Sequence, residues 1–407
     1  MAEITCRHAQ AVDMKRIKEI IPLAFDEAAA RPDIVEDLEN ETWYSCEHWL
    51  VAEADGVVVS ALALRPGVMW VAGVAVSVRT VGTVCTHPDY RARGIGRQLM
   101  AFADEVMSAE GVVLSRLHTS PMRYAFYGRC GYVKAIQNWD AAVLEIEAIG
   151  PGVRKRAEVD LGDAVVRPAH ARDADRMNAI YEATCTHATG HISRNEHFFG
   201  RRIARHAKPW TWVPPKFDVV EDPVDGVVGY VGYLLEDDRK QIVELATLER
   251  HAPLARTLVL HVAREAQDRG LKRLDVCLDR HLPLGWVVRE FNMRIEPDSG
   301  VMFLKVEDDA RLIEMMTPVV ARRAERFEVA LTMSPAGFGD VTLGDGQSVR
   351  IVTDAAHFAT LVYNGVWLNG LLGQGALQII PDTRSAHEAV QHVFPDTHAS
   401  RARIDGY

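Results

Sequence analysis

Apolar residues in the first part of the chain alternate between two spacings. Ile4 to Ala9 has strand character, and Met14, Ile17, Ile20 and Ile21 then recur at helical intervals behind Asp13, which is suited to cap a helix. Trp49 to Ala54, Gly56 to Leu64 and Val68 to Val78 read as strands, divided by Asp55-Gly56, a hairpin dipeptide, and by Pro66-Gly67. A further strand through Val81, Val84 and Thr86 meets the Pro88-Asp89 turn. Beyond it Ile95, Leu99, Phe102, Ala103 and Val106 fall on one face of a helix. Gly111 then precedes a strand over Val112 to His118.

The pattern begins a second time. Arg7-x-Ala9-x-x-x-Asp13 returns as Arg167-x-Ala169-x-x-x-Asp173, ahead of a helix through Met177, Ile180 and Tyr181. Phe217 to Glu221 and Val227 to Leu235 turn through Asp225-Gly226. Gln241 to Leu248 leads to a helix near Leu254 to Arg269, and Leu274 to Leu278 is a strand. Repetition over this length implies duplication of a whole domain. From about Asp309 the pattern changes to mixed α+β. It has a helix through Leu312, Met315 and Met316, strands at Phe327 to Met333 and Val349 to Thr353, and glycine-rich turns between Gly337 and Gly346. Helices are expected over Ala355 to Tyr363, capped by Asp354, and over Ser385 to Val393. The expected domains are 1–150, 151–308 and 309–407.

Composition narrows the class. A chain of 407 residues that is 48% hydrophobic and 25% charged is a globular protein of more than one domain. Its net charge of −10 disfavours a nucleic-acid partner and suits a cationic substrate. The sequence shows neither a bilayer-spanning apolar run nor a basic segment leading into an apolar one at its start, so a cytoplasmic location is expected. Six cysteines without CxxC spacing imply reduced thiols. Sixteen dispersed histidines, with only His187, His191 and His197 loosely grouped, lead us to expect no metal.

The stretch from Arg91 to Gly96 carries the candidate chemistry. It opens the helix after the Val81 strand, so unpaired N–H groups and the positive end of the helix dipole favour an anion there. Gly94 and Gly96 carry no side chain to hold a phosphate off the backbone, and Arg91, Arg93 and Arg97 add charge. A pyrophosphate is the natural guest, and a tight turn among solvated arginines is the bland alternative. Neither GxxxxGK[ST] nor GxGxxG is present. The second copy has Glu249-Arg250-His251-Ala252-Pro253-Leu254-Ala255 at this place, without glycine, which argues against phosphate binding. Between Pro22 and Glu41 lies an acidic segment; most of its carboxylates read as a solvated face, with Asp26 the candidate to meet a cationic substrate.

Arg91-x-x-Gly94-x-Gly96 after a strand resembles the acetyl-coenzyme A signature of the GNAT acyltransferases. The resemblance implies an α/β fold of tandem GNAT domains, with mixed, largely antiparallel sheets and helices. It also implies backbone contacts from Val84, Cys85 and Thr86 to the pantetheine arm, and a pyrophosphate held by Arg91, Ala92, Arg93, Gly94, Ile95, Gly96 and Arg97. Ser120 to Tyr132 resembles the region in which a tyrosine stands beside the coenzyme sulfur. Amine attack on a thioester expels a thiolate, which a phenol can protonate. Tyr127 is the candidate, and Tyr124 and Tyr132 are its rivals.

The last segment, including the Val366 to Leu372 stretch, resembles sterol-carrier-like domains. Two GNAT-like copies, only the first with the glycine loop, followed by such a domain resemble the enhanced-intracellular-survival (Eis) acetyltransferases. That resemblance implies direct transfer from acetyl-CoA, as co-substrate, to an aminoglycoside, lysine or polyamine-like amine within a homohexamer. It makes Tyr127 the general acid and the terminal carboxylate at Tyr407 the base, although Gly406 departs from the family's acidic ending. A non-catalytic coenzyme A sensor and a lipid-binding carrier are the alternative readings.

Overall fold

The computed structural model describes residues 3–25, 45–135, 140–185, 190–195, 197–206, 215–235, 240–277, 284–297, 301–335, 341–343, 346–354, 357, 361, 375 and 377–394. The chain divides into two compact units. The first opens with β1 (Ile4–His8), α1 (Asp13–Ala24), β2 (Trp49–Ala54), β3 (Val57–Val71) and β4 (Val74–Thr86). It continues with α2 (Ile95–Ala109), β5 (Leu114–Thr119), α3 (Tyr124–Arg129) and β6 (Val133–Ala135).

The second unit runs β7 (Asp140–Glu145), α4 (Pro151–Leu161), β8 (Val165–Pro168), α5 (Ala174–Cys185), α6 (Phe198–His206), β9 (Lys216–Asp222), β10 (Gly226–Leu235), β11 (Lys240–Thr247), α7 (Leu254–Asp268), β12 (Arg273–Val276), α8 (Trp286–Glu290) and β13 (Arg294–Pro297). The chain then returns to the first unit with β14 (Val301–Val306), α9 (Asp309–Arg326), β15 (Val329–Pro335), β16 (Val341–Leu343), β17 (Gln347–Thr353), β18 (Leu377–Ile380) and α10 (Arg384–Val393).

Among the described residues three mixed sheets result, in the orders β1-β2-β3-β4-β5-β14-β6, β13-β7-β12-β11-β10-β9-β8 and β16-β15-β17-β18. Two strands lie in a different sheet from the one their place in the chain suggests. β7 pairs with β12 and β13 in the second sheet, and β14 sits between β5 and β6 in the first. Alternation along a short strand specifies which face is buried and leaves its neighbour open.

The first hairpins show where local signals hold and where they yield. Asp55 and Gly56 turn the chain at φ 50° and 79°. Pro66-Gly67 does not break β3, and the reversal comes at Ala72 and Gly73, φ 49° and 84°. The register of β2 on β3 runs from Ala54 against Val57 to Trp49 against Ala63, so Pro66 lies past the last residue that β2 could bond. A proline is tolerated where a strand lacks one neighbour.

Both repeat motifs fold into the same device. Arg7 grips Asp13 with two hydrogen bonds of 2.6 and 3.0 Å and also bonds Glu53 of β2. Arg167 grips Asp173 at 2.7 and 3.0 Å and bonds Glu221 of β9 at 2.5 Å. Each aspartate also accepts a backbone N–H three residues upstream, from Gln10 at 2.7 Å and from His170 at 2.8 Å. The first strand, the following helix and the second strand of each copy are thereby clamped together.

The arginine hydrogen bonds hold Asp13 and Asp173 below the usual carboxylate range, against the opposing effect of burial. A depressed folded-state value stabilises above the unfolded value, about 3.9, and that stabilisation is lost as pH falls through the lower folded value. Asp13→Asn is therefore expected to cost about 2 kcal/mol at neutral pH, with the deficit shrinking below pH ~4. Thermal melts of wild type and variant across pH 3–7 check this; a constant offset would show that the carboxylate charge is irrelevant.

Candidate active site

The site begins where two parallel strands part. β4 pairs with β5 only from Val78 against Leu114 to Thr80 against Arg116, although β4 continues to Thr86 and β5 to Thr119. Thr83 interrupts the end of β4 with φ 50°, an uncommon conformation for a β-branched residue. On its other side this end of β4 stays fastened to β3. The Ser60 hydroxyl donates to the Cys85 carbonyl at 2.7 Å, and the His87 N–H donates to the Val59 carbonyl at 2.8 Å. Backbone groups of Val84 to Thr86 therefore border a cleft instead of a paired strand.

α2 starts beside this cleft because its apolar face packs on the sheet. Ile95, Leu99, Met100, Ala103, Val106 and Met107 are all buried, each large side chain contributing about 1.5–3 kcal/mol. The loop before it turns through left-handed conformations at Ala92 (φ 61°) and Gly94 (φ 79°). Gly94 is the N-cap, and no side chain bonds the free N–H groups of the first turn. A Cβ on Gly96 would meet only the Phe126 ring and the Thr86 hydroxyl, both at 3.7 Å, an ordinary contact. The protein's own packing therefore does not require glycine at 96.

Cleft and loop border one cavity of about 460 Å³, within the range of small-molecule sites. Its lining holds Val84, Cys85, Thr86, Arg91, Ala92, Gly94, Ile95, Gly96 and Arg97 from the expected coenzyme set, and also Ala24, Phe126 and Tyr127. Arg93 is not among the lining residues; its guanidinium donates to the Asp89 carbonyl at 2.7 Å and lies over the Tyr90 ring. Arg91 borders the cavity but bonds the carbonyls of Thr86 (3.3 Å), Leu23 (3.3 Å) and Ala24 (3.0 Å). It ties the 91–97 loop to the C-terminal end of α1, where a cation suits the helix dipole. Two arginines absent from the sequence-based set, Arg123 and Arg129, complete the lining. Their signal was there to read: both flank Tyr127 in a segment without a carboxylate.

Among the described residues four arginines and no carboxylate thus border the cavity, in a chain with 56 acidic residues against 46 Lys and Arg. With the N-terminus of α2 they favour a ligand carrying several negative charges.

The three candidate tyrosines separate by environment. Tyr132 is buried in the core and accepts a hydrogen bond from Ser115 at 2.8 Å. Tyr124 packs on Phe303 with ring centres 5.1 Å apart. Tyr127 alone of the three lines the cavity, at 7% exposure, with Phe126 set edge-on to it at 5.0 Å. Burial pushes the Tyr127 phenol up to about 12, so it keeps its proton at neutral pH and can donate it in a hydrogen bond. Cys85 is buried, its thiol is pushed up to about 12 by burial, and its sulfur lies 3.6 Å from the Ala61 carbonyl.

The corresponding place in the second unit is built otherwise. α7 begins after Pro253, itself preceded by the Glu249–His251 turn, and no left-handed glycine opens it. Glu244 of β11 is buried and held by both ends of the Arg194 guanidinium at 2.8 and 2.5 Å, with the arginine lying over Tyr181. Ligand-type atoms of Asp218, His261 and Glu265 also lie within 4.8 Å of one another. Lys216 makes ion pairs with both carboxylates, at 3.6 and 3.1 Å, and thus supplies the cluster with its own cation.

Asp26 and Tyr407 lie outside the described residues, as does the 366–372 stretch. Five of the cysteines, Cys6, Cys46, Cys85, Cys130 and Cys277, are free thiols. Among the described residues no helix is long and apolar enough to cross a membrane.

Residues 5–135 match the family described as acetyltransferase (GNAT) domain. No curated protein matches the sequence. Among solved structures the fold is similar to a GCN5-related N-acetyltransferase from Kribbella flavida, with TM-score 0.68, 19% identity and 98% of each chain covered. It is also similar to a GCN5-related N-acetyltransferase from Anabaena variabilis, with TM-score 0.71, 14% identity and 98% and 99% of the two chains covered. Eis1 from Mycobacterium abscessus gives a TM-score of 0.69 at 17% identity over 98% of each chain. The GNAT match covers the diverging strands, the glycine loop and Tyr127, and it supports an acetyltransferase.

Proposed function

We propose that this protein is an Eis-like N-acetyltransferase that moves acetyl from acetyl-coenzyme A directly to an amine in a ternary complex. The observation that carries this is the cavity bordered, among the described residues, by four arginines, a helix N-terminus and no carboxylate, with a buried phenol in the same wall. When bound, acetyl-coenzyme A supplies an activated thioester and the phosphates that such a cavity fits. Loop 92–97 holds the pyrophosphate on backbone N–H groups, and the free edge of Val84 to Thr86 holds the pantetheine arm and polarises the acetyl carbonyl. The Tyr127 hydroxyl donates a hydrogen bond to the departing sulfur.

The environment of Cys85 supports direct attack: burial pushes its thiol up to about 12, which disfavours the thiolate that an acyl carrier needs.

Two repeats with one phosphate loop and full-length likeness of fold to Eis1 from Mycobacterium abscessus support the Eis-like reading. On that reading the acceptor is an aminoglycoside, lysine or polyamine-like amine, which suits the net charge of −10. The assembly is a homohexamer, and the last segment, in which α9 and α10 pack with β15 to β18, is a sterol-carrier-like scaffold. An amine panel assayed by thiol release tests the reading: acceptor-dependent release is expected from at least one of these amine classes. Tight acetyl-coenzyme A binding with no transfer to any amine would make the protein a sensor instead.

A further inference from the structure

The arginines around the cavity do not share one task. Arg91 is bonded to three carbonyls. Arg97 lies in the first turn of α2, within the glycine loop's own segment, and Arg129 at the far end of α3. Arg123 stands apart. It is the N-cap of α3, placed by its own N–H bond to the Ser120 carbonyl at 3.0 Å in the turn that Pro121 begins.

Tyr127 lies four residues further along the same helix, so the two side chains share a face, and both border the cavity. Arg123 is exposed, and among the described residues no carboxylate pairs with it. Of the charged groups acting on the Tyr127 phenol, Arg123 has the largest effect, and it favours ionisation.

The chemistry leaves room for a cation at this point. The amine nitrogen attacks the thioester carbonyl carbon, a C–N bond forms, the C–S bond breaks, and the electron pair leaves on sulfur while the ammonium proton passes to solvent or a base. A thiol has an ordinary pKa of about 8.5, well below the Tyr127 phenol at about 12. Complete transfer of the phenolic proton onto the thiolate is thus unfavourable by about three orders of magnitude. Sulfur must depart as a hydrogen-bonded anion and take its proton afterwards.

We propose that Arg123 faces the departing sulfur beside the Tyr127 hydroxyl and stabilises its negative charge, making it a second catalytic residue of the transfer step. The proposal rests on the acetyl-transfer reading and assigns Arg123 to the leaving group instead of the phosphates. The distinction is measurable, because a phosphate contact acts on coenzyme binding, whereas charge on sulfur exists only as the C–S bond breaks.

The experiment compares wild type, Arg123→Ala and Arg123→Lys with acetyl-coenzyme A and its 3′-dephospho analogue at saturating amine, with thermal melts confirming that each variant is folded. Arg123→Ala is expected to lower kcat about 10- to 100-fold with both donors and to change KM for either less than about twofold. Arg123→Lys, which keeps the charge, is expected to recover most of kcat. An unchanged kcat, no recovery by lysine, or a rise in KM confined to the 3′-phosphorylated donor would overturn the proposal. Absence of transfer by the wild-type protein would instead overturn the acetyl-transfer reading itself.

Discussion

Gly96→Glu is expected to weaken acetyl-coenzyme A binding at least about 100-fold, or ~2.7 kcal/mol, in a protein that remains folded. The two effects separate cleanly at this position. A Cβ here makes only ordinary contact with Phe126 and Thr86, so the fold accommodates a side chain. A carboxylate in the first turn of α2, however, occupies the place where N–H groups and the helix dipole would meet a phosphate, and it repels that phosphate. Gly94 is the poorer choice for this test, since its φ of 79° strains any side chain and would confound folding with binding. Titration calorimetry on the folded variant decides the matter, and wild-type affinity would remove the loop from the site.

Tyr127→Phe is expected to lower kcat about 100-fold with little change in KM for acetyl-coenzyme A. Phenylalanine keeps the ring and its edge-on packing against Phe126, so the cavity wall is preserved and only the hydroxyl is lost. Because the phenol sits near 12, it remains a donor throughout the neutral range and its contribution should not vary between pH 6 and 9. The sign follows from the direction of the shift: the phenol loses its proton only as pH approaches its raised value, well above the assay range. Stopped-assay thiol release across that range is the measurement. Unaltered turnover would return Tyr127 to a packing role and show that the departing sulfur needs no hydrogen bond from it.

Much of the site could be read from the chain because its parts are contiguous. Arg91 to Arg97 form one turn and the start of one helix, so spacing alone placed two glycines at an N-terminus, where Gly94 now stands as the cap. The Arg7 and Arg167 motifs could be matched to each other for the same reason, each spanning a strand end and the helix that follows. What could not be read depended on residues far apart in sequence. Arg91 carries the charge expected of a phosphate ligand, yet its guanidinium bonds carbonyls at Leu23 and Ala24, a use no local pattern announces. Arg123 and Arg129 belong to the cavity only because α3 folds against it.

The sequence by itself determined the alternation of strands and helices, the repeated Arg-x-Ala-x-x-x-Asp motif, the lack of a glycine turn in the second copy and the place of that turn at a helix N-terminus in the first. Each follows from interactions within a few residues, namely periodic burial, turn chemistry and helix termini. Only the tertiary structure decided which sheet received β7 and β14, where β4 parts from β5, and which of Tyr124, Tyr127 and Tyr132 reaches the cavity. Strand pairing and the exposure of a side chain to a cleft are set by partners distant in the chain, and three tyrosines within nine residues look alike until packing buries one, leans another on Phe303 and leaves the third at the cavity wall.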